Sequence, residues 1–341
     1  MFTTHPEYRR QGLIRERLKV INQWSIERGH KLQVIRGIPF FYRQFGYELC
    51  LPLGGSRIGY LPNIPRLKGG EAEKYTFRPA TPKDIPSIME SYEARCQRDM
   101  VSCKRTEAIW QYELFDTNEN IRGNFQVIEN ADNEEVGFIL TSQELESPVF
   151  GLEAFELKPG VSWLDVTPSV IRYMERLGKE LAKENEHLEF EGFRFTLGGE
   201  HPAYDVLPKR MPKVVDPTAW HIRLPDLPDF LMHIKPVLEK RLAESPAVGH
   251  TGDLKLSFYP NGLKLTFERG KLMSAEHFSP AHIYDGDMVF PELTFLRSLF
   301  GHTSPHELEK DFDECYSLSD HGWALVGFLF PQKTSNVWEI S

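Results

Sequence analysis

Thr4-His-Pro-Glu-Tyr-Arg-Arg-Gln-Gly-Leu-Ile-Arg15 is the stretch on which the fold turns. Gly12 opens a run that puts Ile14, Leu18 and Ile21 on one face and stops at Gly29, a spacing that predicts a helix over 12–28. A helix start leaves its first amides unpaired, so the N–H groups of Gln11, Gly12, Leu13 and Ile14 are expected to point outward. The missing side chain at Gly12 lets an anion come close. Arg9 and Arg10 add charge beside that loop, and a phosphate cradle and a tight loop with solvated arginines both fit these residues. Outward from it, Lys31-Leu-Gln-Val-Ile-Arg36 suits a short strand. Gly37 and Pro39 break it, and the aromatic block Phe40-Phe-Tyr-Arg-Gln-Phe-Gly-Tyr47 is expected to form a turn and a helix.

Charge is distributed unevenly around this stretch. Residues 1–43 hold nine basic and three acidic side chains, a net charge of +6 within a chain of −9, so the remainder carries −15. A local positive field in an acidic protein suits a polyanion, and a basic solvated helix face explains it equally. The acidic total argues against a general nucleic-acid binder.

The 341 residues provide for two or three domains, and 40% hydrophobic with 12% aromatic content is the composition of folded ones. Cys50, Cys96, Cys103 and Cys315 lack metal-site spacing, so no metal is expected. No apolar run reaches the roughly 18 residues that span a bilayer. With a polar, charged start instead of a secretory one, a cytoplasmic protein with reduced thiols is expected.

Residues 52–74, rich in Pro and Gly, read as a strand-poor linker. A second unit starts at Tyr75 and runs through strand signals at 125–128 and 136–140 to a helix at about 168–185 and a strand at 192–197. Helix, strand and glycine turn then repeat the N-terminal order. An offset of about 162 residues sets Tyr42 on Tyr204, a weak internal repeat whose second copy lacks the basic glycine loop. A third unit opens with a helical stretch from Leu227 interrupted at Pro236. The alternating runs Leu254–Phe258 and Leu263–Phe267 flank Asn261-Gly262, a hairpin signal, and Leu293–Phe300 reads as an apolar helix.

Arg9-x-x-Gly12-x-Ile14, then helix, strand and Phe41-Tyr42-x-x-Phe45-Gly46-Tyr47, resembles the acetyl-coenzyme A motif of the Gcn5-related N-acetyltransferase (GNAT) superfamily. The order of units looks like that of the enhanced-intracellular-survival (Eis) acetyltransferases. Ile14 stands where the wider superfamily prefers Gly or Ala. The resemblance implies an α+β chain with the acyl-CoA N-acyltransferase fold in a partial first copy (1–60), a degenerate second copy (75–222), and a sterol-carrier-like α+β domain (226–341). It also implies that 1–60 is the C-terminal half of its domain, with an unpaired sheet edge, so that the chain is either a fragment of a longer protein or a remnant without catalysis.

The same resemblance implies roles. Met1, Phe2 and Thr3 would end the strand that pairs with pantetheine and supplies an oxyanion amide, and Arg9, Arg10, Gln11, Gly12, Leu13 and Ile14 would hold the pyrophosphate. Gly37 and Ile38 would lie beside the cofactor. Tyr42 matches the tyrosine that protonates the leaving thiolate, chemistry that acyl transfer from a thioester to an amine requires. The carboxylate of Ser341 would be the base, although relatives often end in an aromatic residue. His5 and His201, each before a proline, read as loop residues. The implied activity is acetyl transfer from acetyl-CoA to a small-molecule or lysine amine, aminoglycoside-, polyamine- or lysine-like, by a homo-oligomer without nucleic-acid or membrane partners. The competing readings are a non-catalytic binder of an apolar ligand through the C-terminal domain, with Leu293–Phe300 lining a tunnel, and a structural module.

Overall fold

The computed structural model describes residues 4–37, 40–117, 123–185, 187–282 and 284–337. Helix α1 (Leu13–Glu27) leads to strands β1 (Gln33–Ile35), β2 (Glu48–Leu53) and β3 (Ser56–Tyr60). Strand β4 (Thr76–Pro79) precedes helices α2 (Ile85–Arg98) and α3 (Glu107–Gln111). Strands β5 (Asn124–Glu129), β6 (Glu135–Thr141) and β7 (Val149–Leu157) come before the long helix α4 (Trp163–Lys183). Then follow β8 (Gly192–Phe195), β9 (Lys213–Val215), β10 (Thr218–Arg223), β11 (Gly252–Ser257), β12 (Gly262–Glu268), β13 (Lys271–Phe278), β14 (Met288–Val289) and β15 (Tyr316–Ser317). These elements form two compact units, one of Met1–Leu51 with Ala219–Lys333, the other of Pro52–Thr218 with Thr334–Ser341.

The second of these is built on a sheet in the order β4-β5-β6-β7-β8-β3-β9. Its neighbours are antiparallel except β7 and β8, which run parallel and are joined through α4. Alternation along β6 explains why both faces are covered. Ile139 joins the cluster under Val166, Val170 and Met174 of α4, whereas Phe138 and Leu140 join the cluster with Ile85, Ile88 and Tyr92 of α2 and Trp110 of α3. α4 carries Pro168 as its sixth residue, where the missing amide leaves the Leu164 carbonyl without a helical donor, and Ser162 caps the helix by accepting from Asp165 N.

The other unit holds a three-stranded sheet, β1-β10-β2, and a five-stranded sheet, β13-β12-β11-β14-β15. β1 and β10 are antiparallel, with Ile35 opposite His221. α1 lays Ile14 and Leu18 against Ile35, Phe41, Tyr42, Phe45 and Tyr47. Ile21, expected on that face, is exposed, as are Val20 and Trp24. The predicted hairpin forms, with β11 and β12 paired from Gly252–Phe267 to Ser257–Gly262. Its left-handed residue is Tyr259 (φ 70°), ahead of the Asn261-Gly262 pair.

Strands adjacent in sequence go to different sheets. β2 joins β10, whereas β3, three residues later, is inserted between β8 and β9; likewise β9 joins β3 while β10 is inserted between β1 and β2. The offset of about 162 residues carries β3 onto the first five residues of β10. β3 and β10, related by that offset, are thus each inserted into the sheet that does not hold the strand before it.

Three expectations change. The 52–74 stretch is no strand-poor linker at its start, because Gly54-Gly55 make the turn between β2 and β3, whose inward residues are buried. After Tyr42 the aromatic block makes one 3-10 turn, Arg43–Phe45, ended by Gly46 at φ 83°, and enters a strand instead of a helix. β7, unread in the sequence, carries two glutamates among its apolar residues. One of them, Glu156, is buried, where it accepts from Arg98 Nη2 at 2.5 Å and lies 3.5 Å from Arg95 Nε.

β3 tolerates no side chain at Gly59, where an added Cβ would stand 2.3 Å from the Arg210 carbonyl oxygen and 2.4 Å from the Phe193 ring. Gly59→Val is expected to destabilise the protein by about 2 kcal/mol or more through overpacking, measured as a lower urea midpoint, whereas Gly69→Val, with open space around it, leaves the midpoint near the parent's.

Candidate functional site

The glycine loop has the geometry of an anion cradle. Gly12 is the N-cap of α1 at φ 75°, ψ 6°, a left-handed conformation that a side chain would strain, and Arg10 two residues earlier is also left-handed (φ 65°). No side chain caps the helix, and its first internal bond runs from Glu16 N to the Gly12 carbonyl (3.2 Å). The amides of Leu13, Ile14 and Arg15 thus have no helical partner, at the end where the helix dipole favours negative charge. Two bonds brace the loop, Arg9 Nε to the Thr4 carbonyl and Gln11 Nε2 to the Glu7 carbonyl, each 3.3 Å.

In front of this helix end lies an open cavity of about 520 Å³ lined by Arg9 to Arg15 together with Thr4, Tyr8, Phe41, Gln44 and Phe45. Arg15 reaches across it to Gln44 Oε1 (3.3 Å) and over the Phe45 ring. A Cβ on Gly12 would meet nothing within 4 Å, so the approach to the amides is clear. Three arginines, unpaired amides and a clear approach fit the phosphates of a coenzyme A thioester. The structure therefore brings Arg9, Arg10, Gln11, Gly12, Leu13 and Ile14 together. Met1, Phe2, Thr3, Ile38 and Ser341 lie outside the described residues.

Tyr42 and Gly37 meet each other, away from the walls of that cavity. Tyr42 is 6% exposed, and its ring lies so close over Gly37 that a Cβ there would stand 1.9 Å from its Cε2. Phe41, Tyr47 and His221 pack edge-on around the ring. The neighbouring Tyr47 hydroxyl donates to Asn22 Oδ1 (2.8 Å), and burial raises its pKa. The Tyr42 hydroxyl makes no hydrogen bond among the described residues.

Tyr204, at the matching place in the other unit, behaves differently. Its hydroxyl donates to the Phe195 carbonyl (2.8 Å) and accepts from Leu197 N (3.1 Å), and burial pushes its pKa up to about 12. The Tyr204 hydroxyl is thus closed by backbone, whereas that of Tyr42 has no such bond among the described residues. The sequence aligns these two tyrosines but carries no sign of which hydroxyl is bonded.

His5 is an exposed loop residue, as expected. His201 is buried, and it caps the short helix Pro202–Val206 by accepting from Ala203 N at Nδ1 (3.2 Å). Of the Leu293–Phe300 stretch, Phe295, Leu296, Leu299 and Phe300 are core. Leu293, Phe295 and Leu296 also line a second cavity of about 210 Å³ with Leu224, Leu227 and Phe258. Among the described residues no helix is long and apolar enough to cross a membrane, and no three metal-binding side chains cluster.

The mixed sheet with its parallel pair β7 and β8 carries the acyl-CoA N-acyltransferase fold, and comparison with solved structures agrees. The chain is similar to a GCN5-related N-acetyltransferase from Kribbella flavida at TM-score 0.63 and 14% identity, covering 99% of this chain and 78% of that one. A second such acetyltransferase, from Anabaena variabilis, gives 0.62 and 16%, covering 97% and 78%. Eis1 from Mycobacterium abscessus gives 0.55 and 14%, covering 99% and 80%. No family model matches the sequence. No curated protein matches it either.

Gly37→Ala is expected to displace the Tyr42 ring, seen as changed ring resonances of a labelled Tyr42 together with a loss of about 1–3 kcal/mol in unfolding free energy. A variant with the parent's spectrum and stability would mean that this contact does not hold the ring.

Proposed function

We propose that this protein is an N-acetyltransferase that moves an acetyl group from acetyl-CoA to a primary amine, aminoglycoside-, polyamine- or lysine-like. The observation that carries the reading is the glycine loop with its left-handed Gly12, unpaired helix amides and three arginines, on a fold shared with known acetyltransferases. Arg9, Arg10 and the amides of Gln11 to Ile14 bind the pyrophosphate. Tyr42, its hydroxyl uncommitted, is the acid that protonates the departing thiolate, a role worth about 10²–10⁴-fold in rate. The acidic remainder of the chain, −15 against the +6 of residues 1–43, favours a cationic acceptor.

In this reading 1–60 is the cofactor-binding copy, 75–222 a degenerate copy and 226–341 a sterol-carrier-like domain, the order of the Eis-type acetyltransferases. The closed Tyr204 hydroxyl supports the loss of function in the second copy. Met1 to Thr3, Gly37 and Ile38 line the cofactor, and the Ser341 carboxylate serves as base. A second reading, binding of a small apolar ligand, is favoured by the cavity beside Leu293, which holds a left-handed backbone at φ 63°. Extraction of lipid from purified protein tests it.

Acetyl-CoA at 100 times its dissociation constant is expected to stabilise the protein by about 2.7 kcal/mol, visible as a higher melting temperature. Gly12→Asp should abolish that shift. Tyr42→Phe should keep it and lower acetyl transfer to an amine panel by at least tenfold. Unchanged turnover in Tyr42→Phe would remove the tyrosine from the chemistry, and an absent shift in the folded parent would remove the cofactor assignment.

A further inference from the structure

Arg15 stands in the first turn of α1, where a positive side chain opposes the helix dipole. It has no carboxylate partner among the described residues. Its Nη2 donates instead to Gln44 Oε1 (3.3 Å) across the cavity, and the guanidinium lies over the Phe45 ring, 5.9 Å from its centroid. Gln44 and Phe45 belong to the 3-10 turn Arg43–Phe45. Gln44 is itself fixed, since its Nε2 donates to the Phe41 carbonyl (2.9 Å), and Phe45 rests edge-on against the Phe41 ring. The cation is thus oriented by a neutral amide and a ring, neither of which cancels its charge. An arginine held in this way keeps most of its donors for an incoming anion.

The pyrophosphate does not account for this arginine. In the acetyltransferase reading that group sits on the helix amides with Arg9 and Arg10 of the loop beside it, whereas Arg15 holds its charge on the far side of the cavity. The cavity, about 520 Å³, has the size of a site for a whole small molecule, commonly about 300–1,000 Å³, and exceeds what a diphosphate needs. A coenzyme A thioester brings a second anion, the 3′-phosphate of its ribose, a monoester that carries about −1.5 to −2 at pH 7. A planar guanidinium matches the oxygens of such a group two at a time.

Resting on the acetyltransferase reading, we propose that Arg15, held by Gln44 and Phe45, is the specificity residue for the 3′-phosphate, so that the site separates coenzyme A thioesters from their 3′-dephospho forms. The pyrophosphate, the sulfur and the acetyl group are the same in both ligands. Arg15 therefore acts on binding and leaves the chemical step alone, and the glycine loop holds either ligand.

Calorimetric titration of the whole chain with acetyl-CoA and with acetyl-3′-dephospho-CoA tests this, at one ionic strength because salt screens exposed charges. The parent is expected to bind acetyl-CoA about tenfold more tightly than the dephospho form, the scale of one charge-assisted contact. Arg15→Gln is expected to lose that preference, its affinity for acetyl-CoA falling about tenfold while that for the dephospho form stays within about twofold of the parent's. Arg15 is exposed, so this variant is expected to fold, which its melting temperature without ligand checks. Arg17→Gln removes the same charge from the same helix outside the cavity, and is expected to keep the preference. Equal affinity of the parent for the two ligands would overturn the proposal and leave the acetyltransferase reading intact. A preference that survives in Arg15→Gln, or that falls equally in Arg17→Gln, would also overturn it. A folded parent that binds neither ligand would overturn the acetyltransferase reading and this subsite with it.

Discussion

Insertion of β10 between β1 and β2 is the constraint on which the N-terminal site depends. β1 is only three residues long, and a strand of that length next to a single helix has too little apolar contact to order itself. Pairing with β10 fixes its register, Gln33 to Arg223 and Ile35 to His221. That register sets where the chain leaves β1, and so where Gly37 receives the Tyr42 ring. Arg223 adds to this closure by donating to Gln33 Oε1 (2.8 Å) while its stem lies against Gly46. The cradle at Gly12 is local, built by one helix end and its loop. The tyrosine is not local, because the strand under it comes from nearly 180 residues away along the chain.

The two buried tyrosines, Tyr42 and Tyr204, are held in different ways. At Tyr204 the hydroxyl ties down the end of β8, and the adjoining His201, Glu156, Arg95 and Arg98 form a buried network in which each charge has a partner. Such a network is costly to break and has little freedom to bind anything else. At Tyr42 the same kind of ring contact is made without those bonds. Packing against Phe41, Tyr47 and His221 holds that residue in place.

Much of this was legible in the sequence, and the boundary is physical. The glycine loop, α1, the strand after it and the hairpin at Asn261-Gly262 follow from local rules about helix starts, alternation and turns, and the acyltransferase fold followed from the resemblance carried by Arg9 to Tyr47. What was not legible depends on distant partners. Ser56–Tyr60 reads as linker because Gly59 and its flanking glycines and prolines argue against a strand, and only the close approach of Phe193 and Arg210 explains that glycine. β7 escaped because its buried glutamate makes sense only beside Arg95 and Arg98. Nothing near His221 in sequence marks it as a neighbour of Tyr42, since that contact comes from the pairing of β10 with β1.

The exchange of strands also fixes an order of events during synthesis. β1 and β2 leave the ribosome early but have no β10 between them until about residue 223 has emerged, and at roughly 5–20 residues per second that is a delay of about 10–35 s. Throughout it, Ile14 and Leu18 of α1 have no completed sheet to pack against. Contacts of such long sequence separation form slowly because a large loop must close first. The register of β1, and with it the seat of Tyr42, thus waits on a strand made some 180 residues later.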